Sequence, residues 1–292
     1  MSSSSPQQAA WLPKLVIAPS FVLSLLFIYG LMAWNGYLSV SASRLLPNYE
    51  FVGLQHYSAL LDSDRIRVAM TNMAVFGFCF IGGAMALGVL LAILLDQKVR
   101  GEGVLRTIYL YPMAISFIVT GTAWKWILNP GLGLQHLMHS WGYTDFQFEW
   151  LVDQDMAIYC VVIAGVWQSA GFVMALFLAA LRGIDDSIIK AAQVDGASLP
   201  RIYWRIILPS LGPVFFSTLM VVSHLAIKSF DLVMALTAGG PGYATDLPAT
   251  FMYATAFTRG QIGVGAASAT VMLATVAAIV VPYLYSELRS KR

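Results

Sequence analysis

Charge is scarce in this 292-residue sequence. Asp, Glu, Lys and Arg together make up 11% of the residues, whereas soluble globular domains carry about 25%. Hydrophobic residues reach 58%, so the composition excludes an ordinary soluble domain and predicts an integral membrane protein. The net charge is only +2 and no long basic run occurs, which excludes nucleic acid as a partner.

Cysteines and catalytic motifs are equally scarce. Cys79 and Cys160 lie in apolar segments without metal-ligand spacing, so we expect two core residues and no metal site. The sequence contains no G-x-x-x-x-G-K-[ST] phosphate loop, no H-E-x-x-H and no G-x-S-x-G. It also offers no convincing pair of nucleophile and base. The chain is therefore predicted not to be an enzyme and to bind no cofactor itself.

Long apolar runs are what the sequence has instead. Six of them exceed the roughly 20 residues that cross a 30 Å hydrocarbon layer, namely Leu15–Tyr37, Val68–Leu95, Thr107–Leu128, Met156–Ala180, Gly212–Thr237 and Gly260–Tyr285. The first run is too long for the apolar core of a signal peptide, which has about 7–15 residues. We predict an all-α polytopic membrane protein with six transmembrane helices over residues 14–288. A polar, mobile tail is expected at 1–13 and a short C-terminus at 289–292.

Basic residues are unevenly divided between the loops. One side carries 11 of the 17 Lys and Arg residues, namely Lys14, Lys98, Arg100, Arg106, Arg182, Lys190, Arg201, Arg205, Arg289, Lys291 and Arg292. The opposite side carries Arg44, Arg65, Arg67 and Arg259, while Lys125 and Lys228 lie inside runs. Because cytoplasmic loops are enriched in Lys and Arg, the first side and both termini are predicted to be cytoplasmic.

Small residues recur every four positions in the second run, at Ala84, Gly88 and Ala92. In lipid, small residues let helix backbones approach closely, and such contacts hold spans together where the hydrophobic effect cannot. This stripe predicts close helix packing.

The longest polar interruption, Arg182–Pro209, has the pattern of two short helices. Residues suited to begin the first helix are Asp185, Asp186 and Ser187, and Gly196 is suited to end it. Ser198 and Pro200 suit the start of the second helix. One face of that second helix is predicted to contain Leu199, Ile202, Tyr203, Ile206 and Ile207. The small residues at the elbow would let another protein approach closely.

This interruption resembles a known loop. The run KAAQVDGAS, followed by ILP, is similar to the EAA cytoplasmic loop of binding-protein-dependent ABC importer permeases. The flanking segments VWQSAGFVMALFLAALRGI, SFDLVMALTAGGPGYATDLPATFMYATAF and GVGAASAT resemble the carbohydrate-uptake class of these permeases. The whole sequence looks most like the glucose/mannose-type permease subunit of Gram-negative bacteria. One position departs from the pattern, since Lys190 stands where the loop has its usual Glu.

The resemblance implies a type I ABC importer permease fold in the bacterial inner membrane, surrounded by lipid. Its implied partners are a second, homologous permease subunit, a dimer of ABC ATPases that holds ATP and magnesium, and a periplasmic sugar-binding protein. The latter would dock on loops 38–66, 129–155 and 238–259. The implied ATPase-coupling residues are Lys190, Ala191, Ala192, Asp195, Gly196, Ala197 and Arg201.

Polar positions in the fourth and fifth runs are candidates for the sugar path that the resemblance implies. At helical spacing stand Gly165, Gln168, Ser169 and Phe172 in one run, and Val222, Leu225, Ala226 and Ser229 in the other. Gln168, Ser169 and Ser229 could bond sugar hydroxyls, and Phe172 could cover an apolar sugar face. The alternative is that these side chains bond neighbouring helices.

Charged residues also lie inside the fifth run. Lys228 and Asp231 stand three residues apart, which predicts a structural ion pair, with contact to sugar as the alternative. His224 is predicted to be a hydrogen-bonded core residue. If all three instead formed an ion- or proton-coupled site, the chain would be a secondary transporter. A membrane scaffold without substrate flux is the third possibility.

Overall fold

The computed structural model describes residues 6–97 and 99–290. In those ranges the regular structure is helical apart from one isolated bridge between Ser41 and Phe51. The helices are α1 Pro6–Ser24, α2 Gly30–Ser39, α3 Gln55–Asp62, α4 Asp64–Asp96, α5 Glu102–Ala114, α6 Phe117–Ile127, α7 Leu134–Ser140, α8 Ala157–Leu181, α9 Asp186–Val194, α10 Leu199–Ile202, α11 Leu208–Ser210, α12 Gly212–Ile227, α13 Phe230–Leu236, α14 Pro248–Tyr253 and α15 Ile262–Ser290. Three π-helical turns extend this series at Leu25–Tyr29, Tyr203–Ile207 and Ala254–Thr258. The all-α prediction is confirmed.

Four helical stretches among the described residues are long and apolar enough to cross a membrane. They are Lys14–Ser39, Asp64–Asp96, Ala157–Leu181 and Ile262–Pro282, and they correspond to the first, second, fourth and sixth predicted spans. Two bent helix pairs also qualify, α5 with α6 at 101° and Leu199–Ser210 with α12 at 70°. The predicted number of six therefore holds if each bent pair counts as one span.

The third predicted span, Thr107–Leu128, is wrong as a single helix. Pro112 destabilises the last turn of α5, because proline lacks an N–H and its ring crowds the carbonyl of the preceding turn. Ile115 is extended, with φ −90° and ψ 143°. Ser116 then starts α6, and its Oγ accepts a hydrogen bond from the Val119 N–H at 3.4 Å.

The fifth predicted span, Gly212–Thr237, is also interrupted. Helix α12 ends at Ile227, and Ser229 adopts φ −73° and ψ 57°. The Phe230 N–H donates to the Lys228 carbonyl at 2.7 Å, which is the bond of an inverse γ-turn. Lys228 and Asp231 therefore do not share a continuous helix, although the sequence spacing suggested that they would.

Part of the predicted N-terminal tail is helical. Helix α1 begins at Pro6, so residues 6–13 of the predicted tail are helical. The rest of that tail, residues 1–5, lies outside the described residues, as do Lys98 and the last two positions of the chain.

The chain divides into two compact units. The first contains the residues up to Asp62 together with Met252–Leu273. Inside it, the Asn35 amide of α2 donates to the Ala266 carbonyl at 3.2 Å and to the Thr270 hydroxyl at 3.1 Å, both on α15. An amide near the end of the first span thus connects two apolar helices through hydrogen bonds.

The second unit contains Ser63–Phe251 and the residues from Ala274 onward. Its core is built around α4 and α8, where the Phe76 and Phe80 rings stack with centroids 5.2 Å apart. The stripe of small residues on α4 is buried, and a Cβ atom at Gly88 would collide with Val173 of α8. The predicted close packing of this stripe is confirmed.

Helix α8 approaches α5 even more closely. A Cβ atom at Gly171 would fall on the Tyr109 carbonyl group. Only glycine lets these two backbones lie at this distance, since a carbonyl of the main chain cannot rotate away as a flexible side chain can.

We expect Gly171→Ala to lower the stability of the purified protein by about 1–3 kcal/mol, because overpacking forces the backbone to shift. The measurement is the midpoint of heat-induced unfolding in detergent. Gly82→Ala is the matched control, since an added Cβ at this exposed helical position meets nothing within 4 Å. Equal midpoints for the two variants would contradict the close approach of α5 and α8.

Candidate functional site

Helix α9 of the polar loop begins at a well-formed cap. Asp185 is the N-cap, and its Oδ1 accepts a hydrogen bond from the Ser187 N–H at 2.8 Å. This bond to the ionised form holds the pKa of the Asp185 carboxyl below its usual value. The predicted helix start is confirmed, with Asp185 as the residue that supplies the cap.

The end of α9 is equally well defined. Gly196 has φ +78°, a conformation that glycine adopts without strain. The Gly196 N–H donates to the Gln193 carbonyl and the Ala197 N–H to the Ala192 carbonyl, both at 3.0 Å. These two bonds form a Schellman motif, so the predicted stop at Gly196 is confirmed. An added Cβ at this position would meet no atom within 4 Å, so the glycine is required by its backbone conformation.

Most of the predicted coupling residues are exposed. This group contains Lys190, Ala191, Asp195, Gly196 and Arg201. Ala197 is half-buried, and Ala192 is only 8% exposed. The exposed side of α9 also carries Ile188 and Val194. Ile188 and Val194 therefore form an exposed apolar strip beside Lys190, whereas Ala192 packs against the rest of the protein and is not available to a partner.

The second helix of the loop buries a different face from the predicted one. Ile202, Tyr203 and Ile207 are buried as expected, but Leu199 and Ile206 are exposed. The π-helical turn Tyr203–Ile207 explains the exposure of Ile206, whereas Leu199 precedes the turn and lies in the first turn of α10. The π-helical turn is wider by one residue, so the spacing of an ideal α-helix no longer applies across it.

Both ends of the polar loop make polar contacts with the segment that joins α4 to α5. The Arg182 guanidinium lies 2.7 Å from Glu102 Oε1, and Arg106 lies 3.0 Å from the same oxygen. The Tyr203 hydroxyl donates to Asp96 Oδ2 at 2.6 Å and accepts from Gln97 Nε2 at 2.7 Å. The contacts of Arg182 and Tyr203 were not predicted from the sequence, because their partners are 80 or more positions away.

Gln168 lies at the break between α5 and α6. It is 4% exposed, and its Nε2 donates to the Ile115 carbonyl at 2.7 Å. That carbonyl belongs to the extended residue, which has lost its helical partner. The geometry favours the alternative in which Gln168 bonds a neighbouring helix. Its Oε1 is buried without a partner among the described residues.

The other uncharged path candidates are largely enclosed. Ser169 and Ser229 are buried, and Phe172 and Leu225 are half-buried. The Ser229 hydroxyl donates to the Leu225 carbonyl at 2.8 Å, which replaces a backbone bond lost at the end of α12. Their contact with a sugar stays a prediction.

The charged residues of the fifth predicted span do not pair. No ion pair within 4 Å joins Lys228 and Asp231 in the part of the chain that the structure describes, so the predicted internal pair is wrong. The reason is the turn at Ser229, which separates the two side chains. His224 is exposed as well, and its prediction as a core residue is wrong. Exposed charges on a membrane-spanning helix are costly against lipid.

A buried ion pair that the sequence did not predict fixes the loop after α13. Arg65 Nε, at the start of α4, lies 2.6 Å from Oδ2 of Asp246, which is 1% exposed. The Arg65 guanidinium also lies 4.5 Å from the ring centroid of Tyr243. The Asn72 amide donates to the carbonyls of Tyr243 and Asp246, each at 3.0 Å. No local sequence signal connects residues so far apart.

Comparison with known proteins decides the family. Residues 84–290, more than half of the chain, match the family described as binding-protein-dependent transport system inner membrane component. The chain belongs to this family. It is therefore a non-catalytic membrane component of an ABC transport system, a permease. The matched range contains α9, its caps and all the path candidates.

Relatives cover almost the whole permease. A probable ABC transporter permease protein of Pyrococcus horikoshii is 37% identical over 93% of this chain and 94% of its own length. The xylose/arabinose import permease protein of Haloferax volcanii is 36% identical over 91% of this chain and 84% of its own length. A solved bacterial ABC transporter that imports the polysaccharide alginate matches with a TM-score of 0.85 at 21% identity, covering 98% of both chains. This last likeness confirms the permease fold.

We expect Gln168→Met to destabilise the permease by about 1–3 kcal/mol, because the half-buried Ile115 would lose the donor to its carbonyl. The midpoint of heat-induced unfolding measures this effect, and Gln261→Met at an exposed position is the control. If Gln168 instead served the sugar, the variant would unfold like the control and change only sugar affinity or selectivity.

Proposed function

We propose that this permease is one of two membrane subunits of an ATP-driven sugar importer, with glucose or mannose as the transported sugar. The observation that carries the proposal is α9, a short helix fixed at both ends with an exposed apolar strip. The named xylose/arabinose import permease supports a sugar as substrate. The glucose/mannose assignment rests on the resemblance of the whole sequence.

In this proposal α9 seats in a groove of one subunit of an ABC ATPase dimer, which holds ATP and magnesium. Ile188, Ala191 and Val194 supply apolar contact area, and Lys190 supplies a positive charge beside them. The caps at Asp185 and Gly196 keep the helix rigid, so it can transmit displacement. Closure of the ATPase dimer then shifts the permease between two states, each favoured by different bound partners.

The sugar path is proposed to run between this chain and a second, homologous permease subunit. Lys228, Asp231 and His224 are exposed on the single chain, and lipid is an unfavourable environment for them. A water-filled path at the subunit interface accommodates them, and Phe172 and Leu225 are the half-buried candidates beside it. Gln168 and Ser229 support the helix breaks through their hydrogen bonds to backbone carbonyls and do not need to contact the sugar.

A periplasmic sugar-binding protein is proposed to deliver the sugar at the side opposite α9, with both termini of the permease in the cytoplasm. One solved relative of the fold was captured with an alginate pentasaccharide-bound periplasmic protein, at a TM-score of 0.82 and 21% identity. The ion pair between Arg65 and Asp246 would keep the loop after α13 in one shape for such docking.

Uptake of labelled glucose by proteoliposomes tests the proposed function. The vesicles contain the permease, its permease partner, the ATPase and the binding protein, with or without internal ATP. We expect uptake that requires both ATP and the binding protein, and competition by mannose but not by unrelated solutes. Uptake driven by a proton or sodium gradient without ATP would establish a secondary transporter instead.

The coupling role of α9 is tested by Ala191→Trp. Ala191 is exposed and helical, so the permease itself should keep its unfolding midpoint. We expect uptake to fall to background because the larger side chain prevents seating of α9 on the ATPase. Ala191→Ser, which keeps a small side chain, should transport normally. Normal uptake by Ala191→Trp would remove α9 from the coupling interface.

A further inference from the structure

The two ends of the polar loop are attached to the same short segment. Arg182, at the beginning of the loop, contacts Glu102, the first residue of α5. Tyr203, near the end of the loop, contacts Asp96 and Gln97 at the end of α4. We call these two contacts together the loop clasp. Because α4 and α5 are joined by this segment alone, the clasp reaches both helices.

The Tyr203 half of the clasp is well sheltered. The Tyr203 side chain is 9% exposed, and its hydroxyl is used both as donor and as acceptor. A cavity of about 180 Å³ lies beside it, lined by Ile189 of α9 among others. The polar bonds of Tyr203 attach the second half of the polar loop to the end of α4 beside this space. Helix α9 is connected to them through the apolar core that contains Leu95, Ala192 and Ile202.

The Arg182 half is more open. The Arg182 and Glu102 side chains are 42% and 26% exposed, and ion pairs of this kind add little to the stability of a fold. Yet Glu102 accepts from two arginines, one on its own helix and one on the loop. Arg106 belongs to the same helix as Glu102, whereas Arg182 brings the loop to the carboxylate. Such a contact matters more for position than for stability.

We propose that the loop clasp makes the polar loop move together with the end of α4 and the start of α5, so that displacement of α9 is passed to both helices. Glu102 and Tyr203 are positioning residues in this scheme, since neither contacts the sugar. The inference rests on the proposed function, in which α9 is the part that the ATPase moves. Helix α5 in turn leads to the break that Gln168 supports.

The test compares sugar transported per ATP hydrolysed in the full reconstituted complex. In the double variant Glu102→Gln with Tyr203→Phe, we expect this ratio to fall about fivefold or more, in the range typical of coupling between distant sites. Assembly and ATP hydrolysis should persist. Arg106→Gln is the matched control, because it removes a cation from Glu102 and leaves the contact with the loop. An unchanged ratio in the double variant would overturn the proposal.

A covalent substitute for the clasp gives a second test. In a background without Cys79 and Cys160, Glu102→Cys with Arg182→Cys should show the reduced ratio. A short bismaleimide that joins the two thiols should return the ratio toward the value of the parent protein. A merely structural contact would not be rescued in this way. If linking the two cysteines stops uptake, the loop must separate from the segment during transport, and the proposal is wrong.

Failure of the proposed function can be told apart from failure of the clasp. A wild-type complex without ATP-driven uptake would refute the importer, whatever the variants do. Amide hydrogen exchange of α9 tests the clasp independently of transport. We expect exchange over Ile188–Val194 to rise at least about tenfold in the double variant because local opening becomes easier. Unchanged exchange would show that the clasp does not hold the loop.

Discussion

The need to satisfy backbone hydrogen bonds without water governs this structure. In a lipid bilayer an unpaired N–H or carbonyl is costly, so irregular backbone survives only where protein groups cover it. The chain breaks two of its apolar segments and covers each break from a nearby side chain. Gln168 donates to the carbonyl of Ile115, and Ser229 donates to that of Leu225. Gln168 of α8 and Ser229 of the fifth predicted span therefore complete hydrogen bonds of the backbone.

A second consequence concerns the charges. The chain places the Arg65 and Asp246 pair inside one unit, where both groups are neutralised. It leaves Lys228 and Asp231 exposed and apart. Asp246 thus has its ion-pair partner within this chain, whereas Lys228 and Asp231 have none within 4 Å among the described residues. The second membrane subunit that we propose would cover these charges on assembly.

Local features were predictable from the sequence, and distant ones were not. Asp185 and Gly196 define α9 through bonds that span two to five residues, so residue type and order sufficed. The break at Ile115 also had a local signal in Pro112 and Ser116, which apolar length alone concealed. The prediction of an ion pair between Lys228 and Asp231 was wrong because a spacing of three residues brings side chains together only on an unbroken helix. The pairs Tyr203–Asp96 and Arg65–Asp246 depend on how whole helices pack together, and no local sequence pattern predicts them.

The π-helical turn at Tyr203–Ile207 restricts the number of residues that this segment can contain. A wider turn shifts everything after it by about 100° around the helix axis, the angle of one α-helical residue. The buried face thus changes register between Tyr203 and Leu211. Deleting one residue between Tyr203 and Ile207 would restore an ordinary α-helix. The residues on its two sides would then rotate relative to each other, so that either Tyr203 would lose Asp96 or α12 would lose its contact with α4. Relatives should therefore tolerate substitutions along this segment more readily than a change in its length.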